Sequence, residues 1–162
     1  MEEFSVLMSI YIKEKSEYLR QCLESILCNT VVPNEIVIVK DGPITEELET
    51  TLAEYISQNE EIYKIIPLET NRGLGLALAE GIQHCSNEIV ARMDTDDIAM
   101  PNRFELQLRA FEEDPDLDIC GGQIIEFEED PDKPIAERRV PLMVLYLFIF
   151  FFFFLIVFLL SH

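Results

Sequence analysis

Asp94, Asp96 and Asp97 fall within four residues, directly after the short apolar run Ile89-Val90-Ala91. Carboxylates this close repel one another, so each ionisation raises the cost of the next. A hard divalent cation, Mg²⁺ or Mn²⁺, relieves that repulsion and can bridge to substrate phosphate oxygens. The plain alternative is a solvated acidic turn ahead of a helix that opens near Pro101. The delivering element gives the first reading its weight. Read as a buried strand, Ile89 to Met93 carries the three acids to its C-terminal edge, where open α/β sheets bind their ligands.

Two further polar features follow apolar strands in the same way. Glu35 to Val39 (EIVIV) reads as a strand that ends in Lys40-Asp41-Gly42-Pro43, and Tyr63 to Leu68 as a strand followed by Asn71-Arg72-Gly73-Leu74-Gly75. A doubly wound sheet brings such strand ends together. Together they suit a nucleoside diphosphate: one carboxylate for base or ribose, an arginine and a helix N-terminus for phosphate, and a carboxylate for metal. Taken singly, Asp41-Gly42 is an ordinary turn, and Arg72 is a solvated charge on a loop shaped by Asn71 and Gly73.

The positioning elements alternate. Phe4 to Ile12 (FSVLMSIYI) reads as a first strand. Ser16 is placed to cap a helix whose inner face is Leu19, Leu23, Ile26 and Leu27. Thr45 caps a second helix with Leu48, Leu52, Tyr55 and Ile56 inward, and Glu46 and Glu47 lie in its first turn, where the dipole favours acids. A third helix directs Leu74, Leu78 and Ile82 inward. A fourth, from about Pro101, aligns Phe104, Leu108 and Phe111. Asp118 to Phe127 reads as a further strand, and residues 128–141, with Pro131 and Pro134, as a charged linker. This order predicts an α/β fold, a mainly parallel sheet with helices on both faces.

Composition divides the chain of 162 residues. Its 12 Lys and Arg and 31 Asp and Glu, a formal net charge of −19, all lie before Val140. The apolar run over 142–160, with Phe150 to Phe154 at its centre, has the length of a bilayer-spanning helix. Its insertion is worth about 5 to 10 kcal/mol on a per-residue scale. The expected organisation is therefore a domain over 1–127, the linker, and a C-terminal hydrophobic transmembrane helix; a shifted reading frame is the competing origin of the run. Arg138 and Arg139 before it predict a cytoplasmic domain by the positive-inside rule, and Glu2 and Glu3 stand where a signal peptide has basic residues. Cys22, Cys28, Cys85 and Cys120 have no metal-ligand spacing and read as reduced thiols. With no basic stripe, the acidic balance argues against a nucleic-acid partner.

The segments SVLMSIYIKEKSEYL, EIVIVKDGP, NRGLGLALAEGI and ARMDTDDIAMPNRFELQ, in that order, resemble the family 2 glycosyltransferases of GT-A (Rossmann-like) fold. The likeness is to the bacterial exopolysaccharide branch typified by amylovoran biosynthesis enzymes, and it covers about Phe4 to Phe127. It implies inverting transfer of a sugar from a nucleotide-sugar, usually UDP-linked, to a saccharide or lipid-linked acceptor. By position it implies that Asp41 holds the nucleobase with Tyr11 packed beside it, and that Asp94 lies by the ribose and diphosphate. Asp96 would ligate Mn²⁺ or Mg²⁺, and Arg72 and Arg103 would contact the diphosphate. Lys40 stands where many relatives carry a second acid. In that family the acceptor half, with its general base, follows the strand at Asp118 to Phe127; here the apolar run replaces it, so the fold is expected to be truncated. Two readings stay open: an active transferase, or a non-catalytic, membrane-tethered nucleotide-sugar-binding fragment.

Other strand-end chemistries fit less well. A haloacid-dehalogenase-type phosphatase needs Thr or Val where Ile98 stands, and a downstream lysine for which only Lys133 remains. A dinucleotide site needs a third glycine where Leu78 stands.

Overall fold

The computed structural model describes residues 2–128, 131, 133–139 and 157–159, the last three by their backbone alone. The strands are β1 (Phe4–Ile10), β2 (Glu35–Lys40), β3 (Tyr63–Pro67), β4 (Ile89–Arg92), β5 (Ile119–Cys120), β6 (Ile124–Glu126), β7 (Ala136–Arg138) and β8 (Val157–Leu159). The α-helices are α1 (Ser16–Leu27), α2 (Glu46–Gln58), α3 (Leu74–Gly81) and α4 (Arg103–Glu113).

Six strands form one sheet in the order β3-β2-β1-β4-β8-β5, while β6 and β7 pair apart. The first four are mutually parallel, with Val6 opposite both Ile36 and Ala91. The chain winds outward from β1 to β3, then returns to the other flank of β1 as β4. The topological switch point therefore lies between the C-terminal ends of β1 and β4, and the Met93 N–H extends that ladder by bonding the Leu7 carbonyl at 3.0 Å.

Period-2 alternation sorts the apolar strands into two faces. Val6, Met8, Ile10, Ile36, Ile38, Ile89 and Ala91 pack beneath α1, α2 and α4, where Leu23, Leu48, Phe104 and Leu108 close a single core. Leu7, Val37, Val39 and Val90 point the other way and meet Ala77 of α3. Helices do cover both faces, as the alternation of elements predicts. Thr45 caps α2 as expected, its hydroxyl accepting from the Leu48 N–H at 3.3 Å. Ser16 does not cap α1: it is the first helical residue, and Lys15 occupies the cap position without a side-chain bond.

The face of α3 differs from the periodic reading. Ala77 and Gly81 are its buried residues, Leu78 and Ile82 are partly buried, and Leu74 is 46% exposed. The cause is a close approach to the sheet. A Cβ on Gly81 would lie 2.5 Å from Leu7 Cδ1 and 2.6 Å from Val39 Cγ2, so small residues, not leucines, line the contact.

The expected strand over Asp118 to Phe127 is broken at Gly121-Gly122 into β5 and β6. The expected linker contributes β7, which pairs with β6 from Ile124 opposite Arg138 to Glu126 opposite Ala136. Of the expected transmembrane helix over 142–160, only Val157–Leu159 lies among the described residues, and those three form a strand that runs antiparallel between β4 and β5. A run of Val, Ile and Phe suits a strand buried on both faces as well as it suits a helix, and periodicity does not separate the two. The remainder of that run lies outside the described residues. Among the described residues no helix is long and apolar enough to cross a membrane.

Candidate functional site

Asp41 follows β2 and is 3% exposed. Its two carboxylate oxygens accept from backbone N–H groups, Oδ1 from Arg72 at 2.6 Å and Oδ2 from Gly73 at 2.9 Å. The Asn71 side-chain amide donates to the Asp41 carbonyl at 3.2 Å. Together these fasten the loop after β3 onto the end of β2 and orient the start of α3. Gly42 permits the approach: its φ is +84°, and a Cβ there would lie 2.7 Å from the Asn71 nitrogen. Gly73, with φ +86°, turns the chain into α3. The Arg72 side chain is exposed, its Nη1 3.6 Å from Glu80 Oε2.

The acidic turn stands at the switch point. The Asp94 carboxylate takes a fork from Arg92, with Nη2 at 2.8 and 3.0 Å from its two oxygens and Nε at 3.2 Å. Asp96 is exposed. Asp97 is part-buried, and burial first, then the charges of Asp94 and Asp96, push its carboxyl up to about 6 against the opposing pull of Arg103 and Arg92. Glu14, in the loop between β1 and α1, faces the same turn. Burial raises its carboxyl, the nearby Asp96 and Asp94 add to the rise, and a hydrogen bond from Thr95 opposes it. The sequence reading missed Glu14; the available signal was a carboxylate four residues beyond the end of β1. Tyr11, the residue after β1, is 38% exposed beside it in the chain.

Arg103 is turned inward. Nε donates to Gln107 Oε1 at 3.2 Å, Nη1 approaches Met93 Sδ at 3.0 Å, and Nη2 donates to the Arg92 carbonyl at 2.9 Å. Burial lowers its ordinary value to about 10, while Asp97 and Asp94 hold the charge. The guanidinium therefore braces the strand end that carries Arg92 and Met93.

The remaining grip comes from α1 and the bend that follows it. Cys22 Sγ lies 3.4 Å from the Asp94 carbonyl, the Ser25 hydroxyl accepts from the Ala99 N–H at 2.9 Å, and the Asn29 amide donates to the Met100 carbonyl at 2.7 Å. Asn29 Oδ1 also accepts from the Phe104 N–H at 3.4 Å.

The donor set is oxygen-only, three carboxylates at one edge with part of their charge uncompensated, which is the chemistry a hard cation needs. Among the described residues no group of three or more His, Cys, Asp or Glu is placed to hold an ion unaided. A cation that takes one or two protein carboxylates and completes its shell with phosphate oxygens and water, as Mg²⁺ does, fits this set.

Known proteins resemble the chain along most of its length. It is 47% identical over 139 residues to an uncharacterised glycosyltransferase of Haemophilus influenzae, covering 86% of this chain and 51% of that protein. It is 46% identical over 123 residues to the amylovoran biosynthesis glycosyltransferase AmsE of Erwinia amylovora, covering 76% of this chain and 46% of that one. The chain thus spans about half the length of these relatives. Among solved structures, Staphylococcus aureus TarS in complex with UDP superposes with a TM-score of 0.58 at 26% identity, over 68% of this chain and 32% of that one. The mannosyltransferase PcManGT of Pyrobaculum calidifontis, solved with GDP-Man and Mn²⁺, gives 0.62 at 19% identity, over 73% and 34%, and supports the fold. The profile of Glycosyl transferase family 2 matches residues 5–160. With a mainly parallel sheet that carries its acidic turn at the switch point, the chain belongs to that family and has its GT-A-like fold.

Proposed function

We propose that this chain forms the nucleotide-sugar side of a metal-dependent, inverting glycosyltransferase. It would take a UDP-linked donor and act in the synthesis of an exopolysaccharide or other cell-surface glycan on a saccharide or lipid-linked acceptor. The observation that carries this reading is the convergence at one sheet edge of the Asp41-fastened loop with the turn of Asp94, Asp96 and Asp97. The start of α3 offers backbone N–H groups toward an anionic group, and the exposed guanidinium of Arg72 stands beside it. In this assignment Tyr11 and Asp41 border the base, Asp94 the ribose and diphosphate, and Asp96 holds Mn²⁺ or Mg²⁺. When bound, such an ion neutralises the charge that develops on the departing diphosphate. Arg92 holds Asp94 in place, and Glu14 and Asp97 add negative potential to the same edge.

Transfer also needs a base to deprotonate the acceptor hydroxyl. Glu126 is ion-paired to Arg138, and no described residue is assigned that role. With no general base assigned among the described residues, a second reading is a donor-binding unit that does not turn over by itself. Calorimetric titration of UDP into the full chain, with and without Mn²⁺ and alongside Asp96→Ala, tests the donor site. Manganese-dependent binding that the substitution abolishes is expected. Equal binding by wild type and Asp96→Ala, or none by either, overturns the assignment. Release of UDP from a UDP-sugar in the presence of an acceptor then separates transferase from donor-binding unit.

A further inference from the structure

Residues 93–102, between β4 and α4, belong to no helix or strand. Beyond Met93, whose N–H bonds the Leu7 carbonyl, their backbone groups have no ladder to fix them, yet this stretch carries Asp94, Asp96 and Asp97, whose mutual repulsion favours spreading apart. Its internal hydrogen bonds are few: the Asp97 N–H reaches the Asp94 carbonyl at 3.2 Å, and the Arg103 N–H reaches the Met100 carbonyl at 2.9 Å. What holds the far limb of the turn comes from another element. Ser25 in the last turn of α1 and Asn29, two residues past the end of that helix, engage backbone groups of consecutive residues, the Ala99 N–H and the Met100 carbonyl. Each is itself fixed. The Ser25 hydroxyl donates to the Cys22 carbonyl at 2.7 Å, and Asn29, 6% exposed, also receives the Phe104 N–H that opens α4.

We propose that Ser25 and Asn29 are positioning residues for the donor site: from the last turn of α1 and the bend just past it they set the backbone path of residues 94–100, and thereby where the carboxylate of Asp96 stands for a divalent cation. Neither residue offers its own atoms to the ligand. The proposal rests on the donor-site reading above. It also makes α1 more than a cover for the core, because its inner face carries Leu23 and Ile26 to the sheet while its edge clasps the turn.

The test is the affinity of the full chain for Mn²⁺ at saturating UDP, read from the electron paramagnetic resonance signal of free Mn²⁺. Ser25→Ala removes the acceptor for Ala99 and is expected to weaken Mn²⁺ about 10- to 100-fold, the usual effect of losing a group that orients a ligand. Ser25→Thr restores a hydroxyl at a part-exposed position and is expected within about threefold of wild type. Asn29→Asp keeps the acceptor for Phe104 but places an oxygen against the Met100 carbonyl, and is expected to weaken Mn²⁺ as Ser25→Ala does. Tyr55→Phe is the control: it removes hydrogen bonds to Arg20 and Glu24 on the same helix, away from the turn, and should leave Mn²⁺ affinity unchanged. Wild-type affinity in folded Ser25→Ala and Asn29→Asp overturns the positioning role alone, and so does an equal loss in Tyr55→Phe. Failure of the wild-type chain to bind Mn²⁺ with UDP overturns the donor-site reading, and this proposal with it.

Discussion

Two glycines show how single residues set the loops of the site. Gly42 and Gly73 both have φ near +85°, and Gly73, with ψ 154°, stands in an essentially glycine-only region; such conformations cost an L-residue about 1–3 kcal/mol. They differ in surroundings: a Cβ on Gly42 strikes the backbone of Asn71, whereas nothing lies within 4 Å of one on Gly73. Gly73→Ala is therefore expected to lose only the backbone preference. Gly42→Ala should lose more, because it also pries the loop away from Asp41. Urea denaturation of the two variants checks the order. At the opposite end of the strands, Glu35 accepts from the Ser5 hydroxyl at 2.6 Å and from both the N–H and the hydroxyl of Ser86 at 2.8 Å. Burial alone would raise its carboxyl, but these bonds and Lys64 outweigh it and hold it below the ordinary 4.5. A depressed carboxyl contributes stability that is complete above the unfolded value and lost as pH falls through the folded one. Glu35→Gln should therefore be less stable than wild type at pH 7. The gap should close as pH drops below about 4.3, in thermal melts across that range.

At the scale of elements, α3 is the informative case. Helix propensity favours Ala over Gly by about 1 kcal/mol, yet Gly81→Ala would drive a methyl into buried Leu7 and the stiff β-branched Val39. Overpacking of that kind costs about 1–3 kcal/mol. The variant should be net destabilised, with the amides of α3 losing hydrogen-exchange protection before those of α1. The same helix marks the limit of what periodicity conveys. Leu19, Leu23 and Ile26 in α1, and Phe104, Leu108 and Phe111 in α4, point where their spacing says, because a long apolar stripe has one way to bury itself. In α3 the leucines are abundant and the sheet selects Ala77 and Gly81 by closeness, which depends on Leu7 and Val39 across the interface. Asp41 and the acidic turn were legible as features, since strand ends and carboxylate spacing are local. The partners of Asp41 and Arg103 were not, because a hydrogen bond to a backbone N–H or carbonyl some ten to thirty residues away leaves no mark in composition. The strand at Val157–Leu159 was not legible in the apolar C-terminal run, because length and hydropathy report burial and not the identity of the neighbour.

For the whole molecule, the net charge of −19 sets a long-range field against any nucleotide. Raising ionic strength screens that field, the screening length falling from about 30 Å at 0.01 M to about 8 Å at 0.15 M. Association of the UDP–Mn²⁺ complex, still an anion, should therefore speed up with added salt, the reverse of a basic nucleotide-binding protein. Stopped-flow measurements at two salt concentrations check the sign. Contact between Arg72 and the diphosphate, by contrast, would weaken with salt, so its replacement by Met should steepen the increase.

The slot between β4 and β5 has a consequence in time. β5 pairs only with β8 among the described strands, and β8 arrives some 65 residues after β4 in the chain. Until it arrives, the backbone groups of β4 that point away from β1 form a bare strand edge beside an assembled β1-β2-β3 unit. Such an edge will accept any extended apolar segment, including the same segment of a neighbouring molecule. A nascent or heated population of this protein should therefore exchange that strand between chains, and a charged residue introduced at Phe158 should leave the edge open for longer.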